Sequence, residues 1–122
     1  TPDTGRLGED LRAALQGFVD EVDGTVEGRT LKGLIAEVQR DPELAEAWRD
    51  RFVGPVRARH RIIAERALER GELRADADID LLLDLLYGPA YHRLLHGHRE
   101  LDARFVDGVV AAVTAAIDAG AV

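Results

Sequence analysis

Three observations predict an all-α fold, a five-helix bundle. Apolar residues recur at the 3.6-residue period along nearly the whole chain, period-two alternation is nowhere sustained, and Asp, Thr, Pro and Gly fall where helix ends need them. The chain has 122 residues, 46% of them hydrophobic, which is enough for one core and hardly for two.

The first helix runs from about Arg6 to Val22, with Leu7, Leu11, Ala14, Leu15, Phe18 and Val22 on one stripe, and Asp23-Gly24 ends it. Thr25 can accept a bond from a free backbone N–H and so cap a second helix. That helix extends to about Arg40 with Leu31, Leu34, Ile35 and Val38 inward. Asp41-Pro42-Glu43 is a strong third start: a capping carboxylate, a proline whose missing N–H costs nothing there, and an acid that complements the helix dipole. The third helix reaches about Arg70 and stops at Gly71, with a kink or short break expected at Gly54-Pro55. The fourth starts after Asp78 and runs to about Leu95, with a second kink expected at Gly88-Pro89. The fifth starts after Asp102 and ends near Ala119.

Composition excludes several functions. Without cysteine there is neither a disulfide nor a thiolate metal site. The formal net charge of -7 repels phosphate backbones, so this segment is not expected to grip nucleic acid itself. No apolar run is long enough to span a bilayer and no signal-peptide pattern opens the chain, so a cytoplasmic location and no membrane partner are expected. The start at Thr1-Pro2-Asp3 and the lack of methionine point to a piece of a longer protein or a processed chain. Lys32 is the only lysine, and the abundant Ala, Leu, Val, Asp, Gly and Arg suggest a GC-rich bacterial source. There is no serine, no Gly-rich phosphate loop and no Glu-x-x-His pair, so neither an enzyme nor a cofactor is expected, and no catalytic residue is assigned.

The last two helices differ from the first three. Leu81, Leu82, Leu83, Leu85, Leu86, Tyr87, Ala90, Tyr91, Leu94 and Leu95 cover nearly the whole circumference of the fourth. A helix apolar all round must be buried all round, which a domain of this size rarely achieves alone. The fifth carries Phe105, Val106, Val109, Val110, Val113, Ala116 and Ile117, a face wider than one neighbour needs, with Ala112, Ala115 and Ala116 small enough for close helix approach. Either the fourth helix is central in a monomer, or the two helices supply half of an intermolecular four-helix bundle, for which two-fold symmetry is the default.

Several segments now align with a known pattern: Arg40-Asp41-Pro42-Glu43-Leu44-Ala45-Glu46-Ala47, then Arg51-Phe52-Val53-Gly54-Pro55, then Glu65-Arg66-Ala67 and the connector Arg70 to Asp78. Asp84-Leu85-Leu86-Tyr87-Gly88-Pro89-Ala90-Tyr91-His92-Arg93-Leu94-Leu95 and Phe105-Val106-Asp107 follow. In order and spacing they resemble the C-terminal domain of TetR-type transcriptional regulators over nearly the whole chain. The resemblance implies that residues 1–122 are an effector-binding and homodimerising domain, whose regulator reads DNA only through an N-terminal helix-turn-helix domain absent here. It implies that a small, largely apolar effector changes operator binding. It also implies a dimer seam along the last two helices, for which Leu94, Leu95, Phe105, Val106, Val109, Val110, Val113, Ala116 and Ile117 are the candidates.

Candidate effector contacts come from helical spacing. Phe52, Val56, His60, Ile63 and Ala67 form a stripe in which His60 is either a satisfied core histidine or a polar anchor in a cavity. Tyr87 and Tyr91 can offer hydroxyls to that cavity, or pack in the core or at the dimer interface. Trp48 and Phe52 lie one turn apart, with Phe18, Leu34 and Val38 as opposing walls. The Leu82-to-Tyr87 half of the fourth helix, Leu86 included, is expected to face the cavity, and the Pro89-to-Leu95 half to serve the dimer. His92, His96 and His98 gather at the end of the fourth helix, but no third-ligand pattern is evident and no metal is assigned. The competing reading is a helical interaction module with no small-molecule cavity.

Overall fold

A computed structural model describes residues 1–122. Four helix starts are made by the caps the sequence nominates. Thr25 accepts from Gly28 N at 3.0 Å to open α2 (Val26–Val38). Asp41 accepts from Glu43 N and Leu44 N, both at 3.1 Å, to open α3 (Pro42–Trp48). Asp78 opens α5 (Ile79–His96) through Leu81 N, and Asp102 opens α6 (Ala103–Asp118) through Phe105 N. The start of α1 (Leu7–Val22) has no side-chain cap of its own. Instead Leu7 N donates at 2.7 Å to the carboxylate of Glu72, in the distant α4–α5 connector.

The expected break at Gly54-Pro55 takes a different form. A π-helical turn, Arg49–Val53, joins α3 to α4 (Gly54–Glu69) without leaving helical backbone. Pro55 cannot donate to the carbonyl one α-turn back, and its ring crowds that carbonyl. Widening the turn answers both, and Gly54 N donates to Arg49 O, five residues back. Taken as one run, α3 to α4 is the third helix of the sequence reading, so the bundle is all-helical with five helices and no strand. α5 likewise runs through Gly88-Pro89 uninterrupted. α2 ends at Val38 rather than near Arg40, and α4 at Glu69, beyond which Gly71 takes the left-handed φ of +80°.

α1 lies at the centre. It buries Leu7, Leu11, Leu15, Val19 and Val22 and packs against α2, α4, α5 and α6. Around it stand Ile63, Ala64 and Ala67 of α4, six buried residues of α5 from Ile79 to Leu94, and Phe105, Val106, Val109, Val110 and Val113 of α6. Arg12 pairs with Asp107 across α1 and α6, and Arg57 reaches Asp84 at 2.7 Å and Asp80 at 3.2 Å to join α4 to α5. The α2–α3 side is looser: α2 buries only Gly28 and Val38, α3 buries nothing fully, and Leu31, Leu34 and Ile35 stay half-covered. α5 is not enclosed within the chain, since Leu81, Leu85 and Leu95 remain 39%, 39% and 46% exposed. No helix is long and apolar enough to cross a membrane.

Two residues matter in ways their neighbours in sequence do not show. A Cβ on Gly28 would stand 1.9 Å from the backbone oxygen of Val22, so α2 can meet the end of α1 only with glycine there. Asp10 is fully buried. Its Oδ1 accepts from Thr4 N at 2.7 Å and Thr4 Oγ1 at 2.8 Å, and Arg70 stands 3.9 Å from its Oδ2. Gly28→Ala is expected to lower stability by at least about 2 kcal/mol in denaturant titration, because backbone rather than a flexible side chain must move. Asp10→Ala is expected to cost about 1–3 kcal/mol by removing the buried carboxylate that accepts both Thr4 bonds; a change within error in either titration rejects the corresponding role.

Candidate functional site

Because α2 and α3 cover the core loosely, a cavity of about 820 Å³ remains between them and α1, α4 and α5. α1 supplies Ala14, Gly17, Phe18 and Glu21, and α2 supplies Val26, Thr30, Leu31 and Leu34. Trp48 of α3 and Phe52 of the π turn stack face to face at 4.3 Å and line the cavity together. Val56, Arg59 and His60 of α4 and Tyr91 of α5 complete it, and Thr1 and Pro2 lie along one edge. That N-terminal segment is tied down by Thr4 on Asp10 and by Arg66, which donates to Pro2 O at 3.3 Å.

The cavity gathers six of the ten expected contacts: Phe18, Leu34, Trp48, Phe52, His60 and Tyr91. The other four stand outside it. Val38, Ile63 and Leu86 are buried at 4%, 1% and 1% exposure, with Ile63 and Leu86 in the main core. Tyr87 sits behind the wall, stacked on His60 at 4.7 Å and edge-on to Phe18 at 5.7 Å. The division expected along α5 does not hold, for Tyr91 of its second half lines the cavity while Leu82 and Leu86 of its first half fill the core. Residues the stripe reasoning passed over, Gly17, Glu21, Val26, Thr30 and Arg59, line the cavity from positions that look like solvent faces in sequence.

The charged side chains that line this cavity are all solvent-exposed. Glu21, Glu27 and Arg59 are exposed at its edge. Half-buried His60 has its pKa lowered, first by burial and then by Arg59 and Arg57, so it stands neutral near pH 7. Burial raises the phenol of Tyr87 and, with help from Glu21, that of Tyr91, so both keep their protons.

A second concavity, of about 1070 Å³, opens between α5 and α6. Leu85, Pro89, His92, Gly108 and Ala112 line it, and Pro89 therefore faces away from the aromatic cavity. The exposed residues Leu81, Leu85, Gly88, His92 and Leu95 alternate by four and three along α5, and Gly108, Ala111, Ala112 and Ala115 form the outer face of α6. Of the residues expected at a dimer seam, Leu94, Phe105, Val106, Val109, Val110 and Val113 are buried in the chain's own core, Ala116 and Ile117 are half-buried and Leu95 is exposed. α6 turns its large side chains inward and its small ones outward, so most of the residues nominated by hydrophobicity are taken up by this chain's own core. His92, His96 and His98 do come together, with ring centroids 4.7 to 6.0 Å apart, but no three donor groups are set to hold one ion.

The chain is similar to known regulators. A sequence model described as "Tetracyclin repressor-like, C-terminal domain" matches residues 1–113. The HTH-type transcriptional regulator YdeS of Bacillus subtilis is 37% identical over 112 residues, covering 89% of this chain and 54% of that protein. The HTH-type regulator Rv1556 of Mycobacterium tuberculosis is 33% identical over 87 residues, covering 71% and 42%. The chain thus spans about half the length of the curated relatives it matches. The crystal structure of the TetR family transcription regulator SCO0332 superposes with a TM-score of 0.86 at 37% identity, covering 93% of this chain and 62% of that one.

The histidine in the cavity wall carries a pH signature. With its pKa below the ordinary 6.5, His60 takes up a proton in the unfolded chain before it does in the folded one, so stability is lost as pH falls from 6.5 through the folded value. The thermal midpoint of the wild-type chain is expected to drop more between about pH 7 and pH 5 than that of His60→Gln. Equal drops would show that this imidazole is free to protonate where it stands.

Proposed function

The chain belongs to the family of tetracyclin repressor-like C-terminal domains, and from that premise we propose that it is the effector-sensing and dimerisation domain of a TetR-type transcriptional regulator. The observation that carries the sensing half is the aromatic-lined cavity of about 820 Å³, a size suited to a drug-sized molecule, with few polar groups among apolar walls. An effector that prefers one arrangement of α1 to α4 shifts the equilibrium of whatever is attached to them, by as much as its affinities for the two arrangements differ. In this reading residues 1–122 act as one sensing unit, the DNA-reading head lies outside them, and the chain works in the cytoplasm as a binding protein with no catalytic role and no cofactor.

A homodimer is part of the same reading. The outer face of α5 and α6 presents Leu81, Leu85 and Leu95 beside Gly108, Ala111, Ala112 and Ala115, large against small, as two copies related by a two-fold axis require. Single exposed leucines are ordinary, but three on one stripe, interrupted by His92, beside a row of alanines make an apolar face. Leu94, Phe105 and the α6 valines then support the interface from behind.

Two measurements test the two halves. A thermal-shift screen of chemically diverse hydrophobic compounds is expected to find ligands that raise the midpoint, and Gly17→Leu is expected to abolish their effect without lowering the ligand-free midpoint. Gly17 lines the cavity with open space where a side chain would grow, and leucine is the better helix former. A screen without hits would favour the interaction-module alternative. In sedimentation at micromolar concentration the wild-type chain is expected to be dimeric and Leu85→Glu monomeric with its helicity intact; a monomeric wild type would remove the dimer.

A further inference from the structure

One row of rings crosses three helices beside the cavity. His60 of α4 stacks on Tyr87 of α5, Tyr87 meets Phe18 of α1 edge-on, and Phe18 meets Tyr91 of α5 at 5.0 Å. Within this row the Tyr87 hydroxyl is sealed from solvent and has no hydrogen-bond partner. A buried, unpaired hydroxyl is a cost that a phenylalanine would avoid, since an unmade bond forfeits the group's hydration with nothing in return. The two rings in contact with the Tyr87 ring, Phe18 and His60, both line the cavity, so Tyr87 stands one ring behind the cavity wall.

The rest of the lining narrows what could meet it. The Trp48–Phe52 stack, Phe18 and Tyr91 offer flat aromatic surface from separate elements. The charged side chains in the lining, Glu21, Glu27 and Arg59, are all exposed, and the half-buried polar groups are the His60 imidazole and the Tyr91 phenol. A cation beside His60 would meet the like charge of Arg59 and Arg57, and an anion would give up its water for two guanidiniums of which one is exposed and the other already paired with Asp80 and Asp84. A neutral imidazole and two phenols can instead donate to, or accept from, an uncharged polar atom.

We propose that the cavity takes an uncharged, planar aromatic molecule bearing an oxygen acceptor such as a ketone or quinone carbonyl, and that the Tyr87 hydroxyl is the donor that selects for that oxygen. This rests on the effector reading above and deepens it. The ligand turns the His60 or Phe18 ring aside, exchanging an aromatic contact between protein rings for one with itself, and Tyr87 gains the partner it lacks. Tyr87 is then a specificity residue that sequence spacing nominates but the resting cavity conceals.

The test is a set of four naphthalenes of matched size titrated into the chain by calorimetry: 2-acetylnaphthalene, its carbonyl-free counterpart 2-isopropenylnaphthalene, 2-naphthoate, and 2-naphthyltrimethylammonium. The ketone is expected to bind at least about tenfold more tightly than each of the other three, the worth of one well-made bond from a buried donor. Tyr87→Phe is expected to leave the ligand-free thermal midpoint unchanged or higher, to keep binding of 2-isopropenylnaphthalene, and to erase the ketone's advantage. Tyr91→Phe, the neighbouring phenol, is expected to leave most of that advantage in place. Equal affinity for the ketone and its carbonyl-free counterpart, tighter binding of either ion, or an advantage that survives Tyr87→Phe would overturn the proposal while leaving the cavity a receptor. Binding of none of the four overturns the aromatic assignment, whereas the broader sensor reading falls only to the compound screen.

Discussion

The whole structure hangs on the burial of α1. Its stripe from Leu7 to Val22 is the surface on which α4, α5 and α6 assemble, and α2 meets the end of that stripe through the bare backbone of Gly28. Each of the five side chains on it is worth roughly 1.5–3 kcal/mol when fully withdrawn from water. That sum exceeds any one ion pair in the molecule, since most of those sit in solvent where screening leaves them little. The chain also commits its polar groups to fixing the start of this helix. Glu72 takes the free N–H of Leu7, and the buried carboxylate of Asp10 holds Thr4, so the segment entering α1 and the connector leaving α4 are tied to one point.

The cavity follows from the same constraint. α1 faces more neighbours than its apolar stripe can satisfy equally, and the helices that pack last, α2 and α3, bring short or half-covered side chains to it. Phe18 and Ala14, at the margin of the stripe, therefore end at a cavity rather than in the core. The walls carry four aromatic rings beside His60, and the charged side chains among them are exposed. In such an arrangement the few half-buried polar groups, the His60 imidazole and the phenols of Tyr87 and Tyr91, are what is left to discriminate among ligands.

Much of this was legible beforehand. Caps at Thr25, Asp41, Asp78 and Asp102 are local chemistry, read within four residues, and each stands where the sequence places it. Six of the expected cavity residues come together because aromatic side chains at helical spacing have few places to go. What could not be read has a common cause: periodicity shows which residues share a face, but not which neighbour the face meets. The α6 valines and the outer alanines are both apolar, and only the packing of α1 and α5 tells inside from outside. Asp10 looks like any acid in the first turn of a helix until Thr4 folds back over it. The cavity contacts at Gly17, Thr30 and Arg59 lie off the apolar stripes and depend on how far apart α1, α2 and α4 stand.

The π turn at Arg49–Val53 acts on the long third helix as a phase shifter. Successive residues of an α-helix are turned by about 100° around its axis, so one residue absorbed into a wider turn re-clocks everything before it against everything after it. Upstream of the turn is Trp48, and downstream are Val56 and His60, and they share one cavity only in the present phase. The length of the chain between Trp48 and Gly54 is thus a coded quantity. Shortening it by one residue would leave composition, caps and core nearly as they are, yet swing the indole to another side of the bundle and dismantle the stacked aromatic wall.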